Sequence, residues 1–160
     1  MYKQFRISAL PVERFAALFN LTDEELARQS ACRRIADTKP GYPCRVSLAE
    51  AEIGERVLLL PYTHHAVDSP YRASGPIYVR ENARQAVPQV GEVPDVVRHR
   101  QLAVRAYDAD HFMVESEVIE GQELEAQIER FFGERRVAYL HIHNARAGCY
   151  SCRVDRTSAE

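Results

Sequence analysis

The sequence predicts an α+β fold: a single domain with a mixed or mostly antiparallel sheet, a few short helices and one longer helix near residues 121–133. Several short segments have the alternation or the continuous apolar character of strands, and one has the apolar period of a helix. Strands and helices do not alternate regularly, which argues against a parallel α/β sheet. The 160 residues suffice for one hydrophobic core, so we expect one domain over residues 1–160 with a flexible tail at 156–160.

The N-terminal part combines one strand with short helices. The segment "QFRIS" alternates as a strand does, and Pro11 stands at a favourable first helical position before "VERFAALF". Thr22 and Glu25 have the spacing of a capping box, which predicts a short helix from there to about Ser30. The same signature recurs in "SLAEAEIG" and predicts another short helix over 47–54, after an irregular segment with several helix breakers.

The rest of the chain alternates loops with stronger patterns. "RVLLLPY" is typical of a buried strand, residues 63–76 of a long loop, and "IYVRE" of the next strand. A helical turn at "PDVVRHR" precedes a hairpin with its turn near residues 108–111. The longer helix ends at Gly133 and has an apolar stripe made by Leu124, Ile128 and Phe131. "RVAYLHIH" and "CYSCRVD" are the last two strands.

Charge and composition argue against some classes of function. The net charge is −2, so no basic excess is available to neutralise phosphates, and we expect no nucleic-acid partner. The N-terminal residues lack an apolar signal segment and no window approaches a membrane span, so we expect no membrane partner. We therefore expect a cytoplasmic protein whose four cysteines are mostly reduced.

The segment "YLHIHNARAGCYSC" carries the strongest chemical signal. Alternate side chains of a strand share a face, so His141 and His143 are predicted to point the same way. If residues 144–148 form a five-residue loop, His143 faces Cys149 and His141 faces Ser151. In this register the side chains that turn toward the core are Tyr150, Cys152 and Val154.

Three interpretations of this polar face remain open. His141 and His143, with His64 or His65, have the residue types of a metal site. Alternatively, Cys149 is a thiolate nucleophile activated by His143. In the third interpretation the face hydrogen-bonds a neighbouring loop or a small ligand, and its purely structural version needs no function. A zinc site of the Cys2His2 type is disfavoured, because a flat strand sends the two sulfurs of Cys-x-x-Cys to opposite faces.

The segment "SPYRASGPIYVRE" carries the second signal. Its prolines and glycine stiffen a loop, Tyr71 offers an aromatic face, and Arg72 and Arg80 offer guanidinium groups. If these side chains converge with Arg105 on the histidine-bearing face, they line an anion-binding pocket. The competing interpretation is that the arginines only pair with acidic side chains, namely Asp37, Glu81 or Asp108.

Four separate stretches, "PGYPCRVSL", "SPYRASGPIYVRE", "RAYDA" and "HIHNARAGCY", together resemble a bacterial family named domain of unknown function 1203. The resemblance extends from "FRISALP" to "CYSCRVDR", which is nearly the whole chain. It implies a small single-domain bacterial protein. It implies no activity, no cofactor and no catalytic residue, so function has to be argued from the residues themselves.

Two functional hypotheses follow from the residues. The first is a binding protein or small enzyme for a small anionic molecule, with His141, His143 and Cys149 as the floor of its pocket and the arginines as a wall. The second is a structural or protein-interaction module whose sheet face meets a partner or a second copy, because Tyr and Arg are enriched at interfaces. The sequence identifies neither a cofactor nor an oligomeric state.

Overall fold

In the computed structural model, which describes residues 4–158, eight strands form two antiparallel sheets accompanied by short helices, which confirms the α+β class. The strands are β1 (Phe5–Ser8), β2 (Cys32–Ile35), β3 (Arg56–His65), β4 (Ala73–Arg80), β5 (Gln101–Tyr107), β6 (Met113–Glu120), β7 (Tyr139–Asn144) and β8 (Tyr150–Arg156). The α-helices are α1 (Asp23–Arg28), α2 (Asp95–Arg98) and α3 (Leu124–Gly133). Within the described residues, no helix is long and apolar enough to cross a membrane.

The five-stranded sheet has the strand order β1-β8-β7-β5-β6, and α3 covers one of its faces. Alternate residues of β5 point into this core, which is why Leu102, Val104 and Ala106 are fully buried. The predicted stripe of α3 packs against them, since Leu124 and Ile128 belong to the same hydrophobic cluster. The other face of the sheet carries the tyrosine and histidine side chains of β7.

The three-stranded sheet has the order β2-β3-β4 and buries a second hydrophobic cluster. Leu58 and Leu60 of β3 meet Ile77 and Val79 of β4 at its centre. Tyr150 of β8 belongs to the same cluster, so the second sheet packs on the histidine-bearing face of the first. The end of β3 therefore lies over β7 and β8.

Local signals predicted most of these elements correctly. Thr22 caps α1, because its side chain accepts from the Glu25 N–H at 3.2 Å while the Glu25 carboxylate accepts from the Thr22 N–H at 2.7 Å. The first strand, α2, the β5–β6 hairpin, α3 and the last two strands lie where predicted. The segment after Pro11 forms two 3-10 turns rather than an α-helix, yet it still buries Phe15.

The helix expected over 47–54 is absent from the structure. The Glu50 carboxylate accepts from the backbone N–H groups of Gly41 and Tyr42, at 3.1 Å each, and closes a tight loop instead. Residues 32–35, expected to be irregular, pair with β3 as an edge strand. Glu50 therefore has the spacing of a helix-capping residue, but its carboxylate binds backbone N–H groups across the loop. The local spacing alone does not distinguish these two arrangements.

Two further boundaries differ from the prediction. Strands β3 and β4 extend into the predicted loop at both ends, so residues 66–72 are the actual connection. At the C-terminus, Arg156 still belongs to β8, and the Thr157 N–H donates to the Gln4 carbonyl at 2.8 Å. Backbone pairing thus reaches into the predicted tail, and residues 159 and 160 lie outside the described residues.

Replacing Gly121 by alanine is expected to destabilise the fold strongly. Gly121 is buried between β6 and α3, and an added Cβ would lie 2.1 Å from the Val97 carbonyl oxygen, a backbone atom that cannot rotate away. We expect the free energy of unfolding, measured by urea denaturation, to fall by about 3 kcal/mol. Gly133→Ala is the matched control, because nothing lies within 4 Å of a Cβ added there. Equal losses in the two variants would contradict the packing argument.

Candidate functional site

Five of the six histidines lie together where the end of β3 crosses β7. They form what we name the histidine face: His64 and His65 of β3, His111 of the β5–β6 turn, and His141 and His143 of β7. The ring centroids of His64 and His143 are 5.0 Å apart, and those of His65 and His141 are 4.9 Å apart. His141 and His143 point to the same side of β7, as strand alternation predicts, with centroids 6.4 Å apart.

Tyr139 is the centre of a hydrogen-bonded chain that fixes the tautomers of two histidines. His65 Nδ1 lies 2.8 Å from the Tyr71 carbonyl oxygen, which can only accept, so this nitrogen carries the proton. His65 Nε2 is then an acceptor and receives the Tyr139 hydroxyl proton at 2.6 Å. The Tyr139 oxygen accepts in turn from His111 Nδ1 at 2.8 Å. The chain thereby joins the loop 66–72, the β5–β6 turn and β7.

The other three histidines of the histidine face each have a buried ring nitrogen without a hydrogen-bond partner within residues 4–158. These atoms are His64 Nδ1, His141 Nδ1 and His143 Nε2. Burial, followed by the charge of neighbouring basic groups, lowers the pKa of His141 to about 2 and those of His64 and His143 to about 4. These three imidazoles are therefore neutral at physiological pH.

The metal interpretation gains no complete ligand set from this geometry. Both ring nitrogens of His65 are already hydrogen-bonded, so neither has a lone pair free to bind a metal ion. In the described part of the chain, no group of three or more His, Cys, Asp and Glu side chains is arranged to hold a metal ion. Chelation by His141 and His143, with His64, stays a prediction from the sequence.

The β7–β8 hairpin has a different register from the predicted one. The observed partners are His143 with Tyr150, Ile142 with Cys152, and His141 with Arg153. A β-bulge lies between the first two of these pairs, so β8 has one residue more than β7 in this interval. The predicted pairings of His143 with Cys149 and of His141 with Ser151 are therefore wrong.

The bulge turns Tyr150 toward the histidine face, whereas the sequence placed it on the core side. Its ring stacks on that of His64, with the centroids 5.2 Å apart. Cys152 and Val154 do face the core under α3, and burial raises the pKa of the Cys152 thiol to about 12. Cys149 is only half-buried, so the two sulfurs of the Cys-x-x-Cys motif have different environments.

Cys149 is not hydrogen-bonded to the imidazole that was predicted to activate it. His143 Nδ1 donates to the Gly148 carbonyl at 2.9 Å, and His143 Nε2 has no partner among the described residues. The Cys149 sulfur instead accepts from Asn144 Nδ2 at 3.4 Å. The structure therefore does not form the predicted pair of His143 and Cys149.

Two of the four residues predicted to line an anion pocket lie near the histidine face. Arg105 is the strand partner of His141, and its charge adds to the effect of burial in lowering the pKa of His143. Tyr71 packs its ring against that of Tyr107, with the centroids 6.1 Å apart.

The guanidinium groups of the other two residues have partners outside the histidine face. Arg72 is exposed and its guanidinium lies 3.5 Å from the Val67 carbonyl oxygen. Arg80 binds the Glu55 carboxylate through hydrogen bonds of 2.7 and 2.5 Å. Arg80 therefore pairs with an acidic side chain, as the competing interpretation expected, although not with one of the three named there. The condition that the arginines converge on the histidine face is not met at Arg80.

A cavity of about 650 Å³ beside the β7–β8 hairpin was not predicted. We name it the arginine cavity, after its three arginines; the polar side chains that line it are Arg45, His99, Arg100, Gln101, Asn144, Arg146 and Cys149. Among the residues that the structure describes, none that lines it is acidic. The Glu50 carboxylate forms an ion pair with Arg100, which leaves the charges of Arg45 and Arg146.

Two irregular segments build this cavity. On one side, Cys44 bridges to Tyr78 at the edge of β4, and the Arg45 N–H donates to the Tyr78 carbonyl at 3.1 Å. On the other side, the Gly148 N–H donates to the Asn144 carbonyl at 2.8 Å and closes the hairpin loop. Gly148 has a φ of 77°, a left-handed conformation that suits glycine.

Arg45 is a buried cation, with only 2% of its surface exposed. Its Nε donates to the Tyr150 carbonyl at 2.7 Å, and its Nη1 donates to the Pro43 carbonyl. Burial lowers the pKa of Arg45, the Cys149 sulfur opposes this effect, and Arg100 reinforces it. Within the residues described, no carboxylate pairs with Arg45.

Sequence reasoning missed Arg45, Arg100, Asn144 and Arg146. A signal for Arg45 was present, since it stands between apolar residues in a segment interrupted by prolines and a glycine, where a charge has few local partners. Asn144 and Arg146 were treated as spacers of a hairpin loop. Nothing in the local pattern indicates that this loop and the segment around Arg45 meet.

The fold and this cavity define a small α+β protein with a buried cationic site. A family model described as "Protein of unknown function (DUF1203)" matches residues 41–156, well over half of the chain. The chain belongs to this family, which confirms the resemblance found in the sequence. No curated protein and no solved structure matches the chain significantly.

Removing the Tyr139 hydroxyl is expected to destabilise the protein. Tyr139→Phe leaves the buried His65 Nε2 without its donor, which should lower the free energy of unfolding by about 1–3 kcal/mol in urea titrations. Tyr42→Phe is the matched control, because it removes a hydroxyl that donates to Asp37 on the surface. Similar losses of unfolding free energy in both variants would show that the buried hydrogen bonds of Tyr139 contribute no more than a surface hydrogen bond.

Stability should fall as the pH decreases from about 6.5 to about 4. The pKa of His143 is about 4 in the folded state and near 6.5 when unfolded, so unfolding takes up a proton within this window. The slope of unfolding free energy against pH should be smaller in His143→Gln by up to about 1.4 kcal/mol per pH unit. His99→Gln, at an exposed position outside the histidine face, is the control. An unchanged slope in His143→Gln would contradict the assignment.

Proposed function

We propose that this protein binds a small anionic molecule in the arginine cavity, beside the Cys149 thiol. The observation that carries the proposal is Arg45, a buried guanidinium with carbonyl partners and no carboxylate within residues 4–158. Removing a charge from water costs several kcal/mol unless an opposite charge compensates it. A bound anion supplies that compensation.

The lining of the cavity fits an anion in other ways. Arg146 adds a second positive charge at the hairpin loop, and within residues 4–158 no acidic side chain lines the wall to repel a ligand. The amide groups of Gln101 and Asn144 can donate hydrogen bonds to ligand oxygens. Guanidinium and amide donors together are the usual partners of carboxylates and phosphates.

The size and the apolar part of the cavity limit the ligand further. A volume of about 650 Å³ lies within the range of small-molecule sites, which is about 300–1,000 Å³. Leu59, Pro76 and Tyr78 form an apolar part of the wall. We therefore propose a carboxylate or phosphate that carries a small apolar group.

This proposal keeps the anionic ligand and Cys149 from the sequence-based hypothesis but moves the site. Arg45, Arg100 and Arg146 replace the predicted wall, and His141 and His143 are not part of the lining. We further propose that the protein acts in the cytoplasm, where reducing conditions keep the four thiols free, as they are in the structure.

Ligand-induced stabilisation tests the proposal. Benzoate and phenyl phosphate should raise Tm in a saturable manner at constant ionic strength, while benzamide, the neutral analogue of benzoate, should not. At a concentration a hundredfold above Kd, the stabilisation should reach about 2.7 kcal/mol. The Kd itself is measured by isothermal titration calorimetry.

Two charge variants locate the site. Arg146→Gln should weaken benzoate binding by about threefold to tenfold, since it removes an exposed cation from the lining. Arg135→Gln, which removes an exposed cation outside the lining, should leave the Kd unchanged. The proposal fails if neither anion gives a saturable shift, or if the two variants weaken binding equally.

A further inference from the structure

Cys149 is the only cysteine in the wall of the arginine cavity. Cys44 and Cys152 are 1% and 0% exposed, while Cys32 is half-buried in β2. The Cys149 sulfur accepts from Asn144 Nδ2 at 3.4 Å and is close enough to Arg45 to raise the pKa of that guanidinium against the effect of burial. A donor and a cation therefore converge on one sulfur.

Asn144 gives a second and independent indication of a ligand. The residue is 8% exposed and lines the cavity, and its Oδ1 is buried without a partner among the described residues. Leaving a buried acceptor without a hydrogen bond is energetically unfavourable. A ligand that donates a hydrogen bond next to the sulfur would satisfy this oxygen.

Arg45 and Cys149 line the same cavity, so the charge of Arg45 can hold an anionic ligand beside the sulfur. The cysteine sulfur is a nucleophile, and an electrophile held there lies within its reach. The Glu50 carboxylate is paired with Arg100 and with two backbone N–H groups. The recorded partners of the Arg45 side chain are carbonyl oxygens, so its charge is available to an incoming anion.

We propose that Cys149 is the nucleophilic site of the arginine cavity and that it takes anionic electrophiles. The inference rests on the proposed anion-binding function. The substrate class is a carboxylate or phosphate with an electrophilic carbon near the anionic group. The Cys149 sulfur forms a bond to that carbon, the leaving group departs with its bonding electrons, and the thiol proton passes to water.

A comparison of the alkylation rates of two reagents tests this proposal. Iodoacetate is an anion and iodoacetamide is its neutral analogue; with both, an S–C bond forms, the C–I bond breaks and iodide leaves. Rates at Cys149 and Cys32 are measured by mass spectrometry on the same intact protein. The ratio of the iodoacetate rate to the iodoacetamide rate should be at least about tenfold higher at Cys149 than at Cys32, which corresponds to about 1.4 kcal/mol. Benzoate should protect Cys149 and leave Cys32 unprotected.

Variants show whether the cavity charge causes the preference. Arg146→Gln should lower the rate ratio at Cys149 by several-fold, and Arg135→Gln should not change it. Asn144→Asp keeps the side-chain shape but adds a negative charge beside the sulfur, so it should abolish the preference for iodoacetate.

The outcomes separate this inference from the proposed function. If benzoate binds but Cys149 has the same rate ratio as Cys32, the nucleophilic site is wrong and the anion-binding function stands. If benzoate neither binds nor protects and the two ratios agree, both proposals are wrong. A high ratio at Cys149 that survives Asn144→Asp would also overturn the inference, because the cavity charge would then not be its cause.

Discussion

Arg45, through its buried side chain and its backbone, ties the two sheets and the last hairpin into one arrangement. Its Nε donates to the Tyr150 carbonyl in β8, and its backbone N–H donates to the Tyr78 carbonyl in β4. Its own carbonyl accepts from the Leu10 N–H at 2.9 Å, which adds the chain that follows β1. Carbonyl oxygens offset only part of the cost of burying a cation. The same residue therefore supports the fold and supplies the positive charge of the arginine cavity.

Tyr150 stands between two polar regions with different chemistry. Its ring lies against His64 on the histidine face, and its carbonyl lies against Arg45 at the arginine cavity. On the histidine face, the chain through Tyr139 connects loops, and the unpartnered nitrogens belong to neutral rings, whose desolvation costs less than that of a cation. The arginine cavity has an uncompensated charge and the free acceptor of Asn144. These unused groups, rather than the larger number of histidines, are the reason for proposing the binding site in the arginine cavity.

The sequence predicted the features that a few neighbouring residues determine. The stripe of α3, the capping box at Thr22 and the shared face of His141 and His143 follow from periodicity or spacing alone. The failures involve contacts between distant segments. Glu50 has the spacing of a capping residue, but the backbone of residues 41 and 42 takes its carboxylate. The arginine cavity could not be predicted for the same reason, since it exists only where the segment around residue 45 meets the hairpin loop.

One extra residue in β8 decides which chemistry the hairpin offers. Without the bulge, the register that pairs Ile142 with Cys152 would continue to His143 with Ser151, and Tyr150 would turn to the core side. With it, Tyr150 pairs with His143, and Cys149 lies beside Asn144 and Arg45. A guanidinium keeps its charge across the physiological pH range, whereas an imidazole changes protonation there. The proposed attraction of the arginine cavity for anions rests on the guanidinium charges of Arg45 and Arg146, while the neutral imidazoles of His64 and His143 belong to the histidine face.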